Sequence, residues 1–223
     1  MPAIILSAGR GHRLRPLTDH VPKPLLQVGA EVLLGRHLRA LSSSGVRRVV
    51  INVAWHGQLI RHFVGDGTGS GVEIAISDEG STALETGGGI FRALPLLGAG
   101  PFISINADVW TDFDFSAFAP PAGDDLATLV LVANPEHNPD GDFALANDRV
   151  VSEGERYTFS GIAMLRPELF ADSDEGIYSI VPLLREAIRA GRVRGQLHCG
   201  AWFDCGAPER LAAARHYAAT HRK

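Results

Sequence analysis

Gly9, Gly11, Arg13, Arg15 and Lys23 follow a short apolar run, Ala3-Ile4-Ile5-Leu6, and together they form a set able to hold phosphate. Glycines leave backbone N–H groups uncovered at a strand end, and the three cations supply charge. Lys23 stands between Pro22 and Pro24, whose fixed φ angles stiffen the segment that presents it. Asp108 closes a second apolar run, residues 101–106. A carboxylate there faces the crevice in which open α/β sheets bind ligands, where it suits Mg²⁺; it can equally cap the following turn. The cluster Gly87-Gly88-Gly89 opens a helical run. It either leaves first-turn N–H groups accessible to an anion or serves as a flexible cap.

Other chemistries are excluded by spacing. No glycine-lysine pair is followed by Ser or Thr, so there is no P-loop, and the start of a dinucleotide fingerprint at Gly9 and Gly11 fails at Leu14. The nine histidines show no HExxH pattern and read mostly as surface residues. His12, inside the glycine loop, is expected to contribute its backbone rather than acid–base chemistry. Cys199 and Cys205 match no zinc or redox spacing and read as inert thiols. A net charge of −4 gives no global attraction to nucleic acid or anionic lipid, so the ligand is small and is held by local cations. No run reaches the ~20 residues of a spanning helix and no basic leader precedes the first strand, which reads as a cytoplasmic protein without a membrane partner. Oligomeric state is not legible, and a monomer is compatible with this composition.

The elements that must position these residues alternate. With 223 residues and 45% apolar content, one large domain is expected. Strands are expected near residues 3–6, 48–53, 72–76, 101–106 and 126–133, with helices over 32–42, 57–64 and the run through Leu97. Such alternation implies right-handed crossovers and a Rossmann-like three-layer α/β sandwich with a mostly parallel central sheet. Residues 143–145, 150–152 and 158–165 read as antiparallel strands, which a plain meander covering one sheet edge would also explain, beside the breaker-rich rim of residues 134–142. A helix over 178–190, one strand over 196–203 and a closing helix to about His221 complete the chain.

Taken whole, residues 6–24 resemble the signature of the sugar-phosphate nucleotidyltransferases, approximately LAAGxGxRxxPxTxxxPKP. The pattern is met by Leu6, Ala8, Gly9, Gly11, Arg13, Pro16, Thr18, Pro22, Lys23 and Pro24, with Ser7 in place of the first alanine. Two further motifs follow in the family's order. Ala107-Asp108 stands where its metal-binding G-D pair falls, and Trp202, Asp204, Gly206, Pro208 and Glu209 match its W-x-D-[IV]-G-T-P-E run, with Cys205 and Ala207 substituted. The resemblance implies a glycosyltransferase-A-like fold and Mg²⁺-dependent nucleotidyl transfer from UTP to a sugar 1-phosphate, the metal held by Asp108 and Asp204. It implies nucleotide contacts from Gly11, His12, Arg13, Lys23, Glu79 and Gly80, with Arg13 and Lys23 acting on the phosphates. Sugar contacts are expected from Asn106, Asp142 and Ser160, and the resemblance makes residues 1–110 mainly the nucleotide-binding half and 111–223 mainly the sugar-binding half, with a small antiparallel sugar-binding lobe. Glu85 and Gly87 depart from the family's nucleotide loop, so base contacts there are not carried over. Residues 84–98, LETGGGIFRALPLLG, resemble short bacterial members that use N-acetylmuramate α-1-phosphate in peptidoglycan recycling. Mannose- or glucose-1-phosphate transfer, or a non-catalytic nucleotide-sugar sensor, are the alternatives. No hexapeptide repeat is present, so the β-helix domain of some relatives is not expected.

Overall fold

The computed structural model describes residues 1–65 and 68–221. Asp66 and Gly67, inside the GDGTGSG loop, lie outside the described residues. In chain order the strands and α-helices are β1 Pro2–Leu6, β2 Gln27–Val28, β3 Glu31–Val32, α1 Leu33–Ser43, β4 Arg48–Val53, α2 Gly57–Val64, β5 Glu73–Asp78 and α3 Glu85–Leu97. Then come β6 Phe102–Asn106, β7 Val109–Thr111, β8 Ala127–Val132, β9 Phe143–Ala146, β10 Arg149–Val151, β11 Arg156–Leu165, α4 Val181–Arg189, β12 Val193–His198, β13 Trp202–Asp204 and α5 Pro208–Thr220.

One sheet runs in the order β5-β4-β1-β6-β11-β8-β12-β10-β9. The strands β5, β4, β1 and β6 are parallel, as expected from the alternation. Alternate residues face opposite layers, as a pleated strand with both faces covered requires. Ala3, Ile5, Val49 and Ile51 pack with Leu34, Leu38 and Leu41 of α1 and Ile60 of α2. Ile4 and Val50 pack with Ile90, Ala93 and Leu97 of α3, in a cluster that also holds Leu184 and Ile188 of α4.

The expectation of a mostly parallel sheet with a small antiparallel lobe is corrected. Strand β9 does pair antiparallel with both β10 and β11, but β11 is ten residues long and lies inside the main sheet between β6 and β8, antiparallel to both. The sheet is therefore mixed. A hairpin-like strand rich in buried residues needs two neighbours to cover its edges, and β6 and β8 supply them. The single strand expected over residues 196–203 is in fact two. β12 joins β8, whereas β13 pairs with β7 after a break at Cys199, Gly200 and Ala201. The short strand β7 was not anticipated; Arg36 holds it by donating from Nε and Nη2 to the Thr111 carbonyl at 3.0 and 2.7 Å.

The glycine cluster of α3 also has a different role from the anion site considered above. The N–H groups of Gly87 and Gly88 donate to the Tyr178 carbonyl at 2.9 and 3.1 Å, so the first-turn donors are already satisfied. For this reason α4 starts only at Val181: the segment before it is spent on capping α3, with Ile180 N–H donating to Thr86 Oγ1 at 3.0 Å. A Cβ on Gly87 would strike the Tyr178 ring, and one on Gly88 would strike the Gly176 carbonyl oxygen. Ordinarily alanine favours a helix over glycine by about 1 kcal/mol. At Gly88 the sign should reverse: Gly88→Ala is expected to destabilise the fold by about 1–3 kcal/mol through overpacking, read as a lower urea midpoint, and a stabilised variant would contradict this packing.

Candidate active site

The strand order reverses direction beside β1, whose neighbours are β4 on one side and β6 on the other. The crevice therefore opens past the carboxyl ends of β1 and β6, where Ala107 N–H donates to the Leu6 carbonyl at 3.1 Å. Two cavities lie there. The first, about 220 Å³, is lined by Ser7, Gly9, Lys23, Asn52, Asn106 and Asp108 among others. The second, about 400 Å³, includes Arg13, Asn106, Asp108, Asp142, Asp204 and Arg210 in its lining. Asn106 and Asp108 belong to both, so two ligands placed side by side would meet at these residues.

Lys23 Nζ lies 2.8 Å from Asp108 Oδ2 across this wall, both side chains being largely covered. Burial alone raises the Asp108 carboxyl, but the charge and hydrogen bond of Lys23, with Arg13 beyond, hold it below the usual carboxylate range. Asp204 is brought in by the ribbon of β7 and β13, in which it pairs opposite Val109, and Cys205 N–H donates to the Asp108 carbonyl at 2.8 Å. Its Oδ1 accepts from Gly206 N–H at 2.7 Å, while Oδ2 lies 3.2 Å from Arg210 Nη2 and 3.8 Å from His137 Nε2. The Cys205 thiol is buried and pushed up to about 12 by that burial and then by the two aspartates, so it stays protonated and inert, as expected. Cys199 is exposed.

The other candidates divide between those that line the cavities and those that do not. Asn106 presents an amide with no hydrogen-bond partner among the described residues, free for a ligand. Asp142 Oδ2 accepts from Phe159 N–H at 2.8 Å and Asn138 Nδ2 at 3.1 Å while the residue lines the second cavity. Ser160 lines it too, but its hydroxyl is fully buried, donating to the Val130 carbonyl at 2.7 Å and accepting from Ile162 N–H at 3.1 Å. It shapes the bulge of β11 between Phe159 and Ala163 rather than offering a group to a sugar. Gly11, in the left-handed region at φ 68°, and His12 line neither cavity; Gly11 instead packs beside Thr18 and Lys23. Arg13 opens on the second cavity, and Arg15 turns away to Asp19 at 2.6 Å. His37 is the exception among the expected surface histidines: it is buried, and burial lowers it to about 4.

Glu79 and Gly80 line neither cavity. Glu79 is buried behind the first one, where Oε1 accepts from Asn52 Nδ2 at 2.6 Å and Oε2 from Leu84 N–H at 2.7 Å. Asn52 in turn accepts from Ser7 N–H at 2.6 Å, so the carboxylate fixes which way the amide faces and thereby the floor of the cavity. A Cβ on Gly89 would sit 2.6 Å from Glu79 Oε1, which accounts for the third glycine. Burial raises Glu79, against the hydrogen bonds from Leu84 and Asn52. Asn52 and Arg210 were not picked out from the sequence. A polar residue inside the apolar strand β4 was a usable signal for the first; Arg210, on a helix rich in charge, carried none.

The family profile of nucleotidyl transferases matches residues 2–147. Two relatives, both described as N-acetylmuramate alpha-1-phosphate uridylyltransferase, extend the likeness over nearly the full length. That from Neisseria meningitidis is 48% identical over 224 residues, covering 96% of this chain and 97% of the relative. This chain belongs to the nucleotidyltransferase family. The second relative, from Caulobacter vibrioides, is 34% identical over 230 residues, covering 95% and 94%. The fold of this nucleotidyltransferase also matches a putative glucose-1-phosphate thymidylyltransferase from Bacillus anthracis with a TM-score of 0.86 at 20% identity, over 98% and 95% of the two chains. No helix among the described residues is long and apolar enough to cross a membrane.

An acceptor-only group at position 79 is the testable feature of this site. In Glu79→Gln the amide cannot accept from both Asn52 and Leu84, so one buried donor loses its partner. A loss of about 1–3 kcal/mol in urea unfolding is expected. An unchanged midpoint would show that Glu79 does not hold the floor of the first cavity.

Proposed function

We propose that this nucleotidyltransferase moves UMP from UTP to N-acetylmuramate α-1-phosphate, yielding UDP-N-acetylmuramate and pyrophosphate. The observation that carries this reading is the pair of cavities sharing Asn106 and Asp108, with Lys23, in the lining of the first, paired to Asp108. The names of two relatives matched over nearly their whole length support the choice of substrates. In this reading the nucleotide occupies the first cavity and the sugar 1-phosphate the second. The reaction serves the recycling of peptidoglycan sugar in the cytoplasm.

Asp108 and Asp204 fit Mg²⁺. They are hard oxygen donors on one cavity, and no group of three or more His, Cys, Asp or Glu among the described residues forms a closed cage. Magnesium takes one or two carboxylates and completes its shell with water and substrate phosphates. When bound, the ion supplies charge neutralisation between the two phosphates and polarises the phosphorus under attack. The chain's own residues do the rest. Lys23, held in place by the flanking prolines, neutralises the α-phosphate as charge builds on the departing pyrophosphate. Gly9, with open space at its Cα, lets the backbone approach the polyphosphate, and Arg13 neutralises its outer phosphates from the edge of the neighbouring cavity. Asn106 donates to and accepts from a sugar hydroxyl or acetamido group, and the unbonded oxygen of Asp142 accepts from a hydroxyl or N–H.

Pyrophosphate release from UTP with a panel of sugar 1-phosphates tests this reading. N-Acetylmuramate α-1-phosphate is expected to be preferred over the glucose and mannose 1-phosphates, and preference for mannose 1-phosphate with GTP would overturn the substrate assignment. Lys23→Ala should lower kcat roughly 10²–10³-fold, as loss of one preorganised donor does, and a loss of tenfold or less would remove Lys23 from the chemistry.

A further inference from the structure

Arg210 occupies the first turn of α5 and lines the second cavity. Its side chain is 15% exposed, and Nε and Nη2 are buried without a hydrogen-bond acceptor among the described residues. The 3.2 Å approach of Nη2 to Asp204 Oδ2 is a contact of charges and lacks hydrogen-bond geometry. Buried guanidinium donors that stay unpaired are costly, and a cation in the first turn of a helix opposes the helix dipole. Neither packing nor helix electrostatics therefore accounts for an arginine here.

Arg13 stands beside it. A Cβ on Gly206 would lie 2.9 Å from Arg13 Nη2, 3.2 Å from Arg210 Nη2 and 2.6 Å from Asp204 Oδ1. The ends of two guanidinium groups and one carboxylate thus gather over Gly206, and two cations against one anion leave a positive balance at this end of the cavity. We propose that Arg210 binds an oxyanion of the sugar substrate. The assignment rests on the reading that the second cavity takes a sugar 1-phosphate. The planar guanidinium fork matches either of two such groups, the 1-phosphate that every sugar of this class carries and the carboxylate of a lactyl ether.

Initial rates at saturating UTP and Mg²⁺, with N-acetylmuramate α-1-phosphate and with N-acetylglucosamine α-1-phosphate, separate the two sources. Arg210→Gln should raise the sugar KM roughly tenfold to a hundredfold, the range for a charged hydrogen bond, without change in the KM for UTP or in melting temperature. Arg210→Lys should fall between, having the charge without the fork. A rise with both sugars assigns the 1-phosphate, and a rise with the muramate alone assigns the carboxylate. An unchanged sugar KM, or a change confined to the Mg²⁺ activation constant, would overturn the proposal, because Arg210 would then act only through Asp204. Calorimetric titration with each sugar phosphate in the absence of UTP keeps this separate from the proposed reaction. If the wild type turns over neither sugar, the substrate reading fails, whereas weaker anion binding in Arg210→Gln still supports the clamp and equal binding refutes it.

Discussion

The ion pair of Lys23 with Asp108, 2.8 Å long and largely covered, is the constraint around which the crevice is arranged. Two charges taken out of water are stable only together, and removing either leaves the other uncompensated. Asp108 of this pair lines both cavities and Lys23 lines the first. The charges that keep the native wall intact are thus the charges that approaching phosphates would engage, and substrate binding competes with an existing interaction rather than filling an indifferent hole.

Two backbone devices bring the pair together. Lys23 comes from a single turn of 3₁₀ helix, Lys23–Leu25, begun by Pro22, so its approach is set by rigid φ angles. Asp108 follows the buried strand β6, tied to β1 through the Ala107 to Leu6 hydrogen bond. The ribbon of β7 and β13 then carries Asp204 across the sheet's end to the same cavity. Each aspartate is placed by a strand end, and strands with both faces covered are among the least deformable parts of a fold. The less constrained second cavity is bounded by a bulged strand and a polar rim, where sugars of different substitution could be told apart.

The parallel half was legible because its strands are continuous apolar runs separated by helices with clear stripes, and Lys23 and Asp108 could be singled out by the prolines and the strand end that flank them. The mixed half was less so. Position within a sheet is decided by pairing partners, which local pattern does not record, so β11 read as part of a lobe and β12 and β13 read as one strand. Hydroxyls and carboxylates posed a related problem. Ser160 and Glu79 have the chemistry of ligand contacts, yet their oxygens are consumed by the backbone of Val130 and Leu84 and by Asn52. The glycines of α3 read as an anion site or a flexible cap, whereas what lies against them is Tyr178, Gly176 and Glu79.

The central claim is that two substrates react directly with one another at a wall common to both cavities, no residue of the chain being covalently involved. The stereochemical course at phosphorus tests it most directly. With UTP carrying a chiral α-thiophosphate and a sugar 1-phosphate as acceptor, ³¹P NMR of the product should show inversion of configuration, as one in-line displacement requires. Net retention would mean two displacements and a covalent nucleotidyl-enzyme, and would contradict the account.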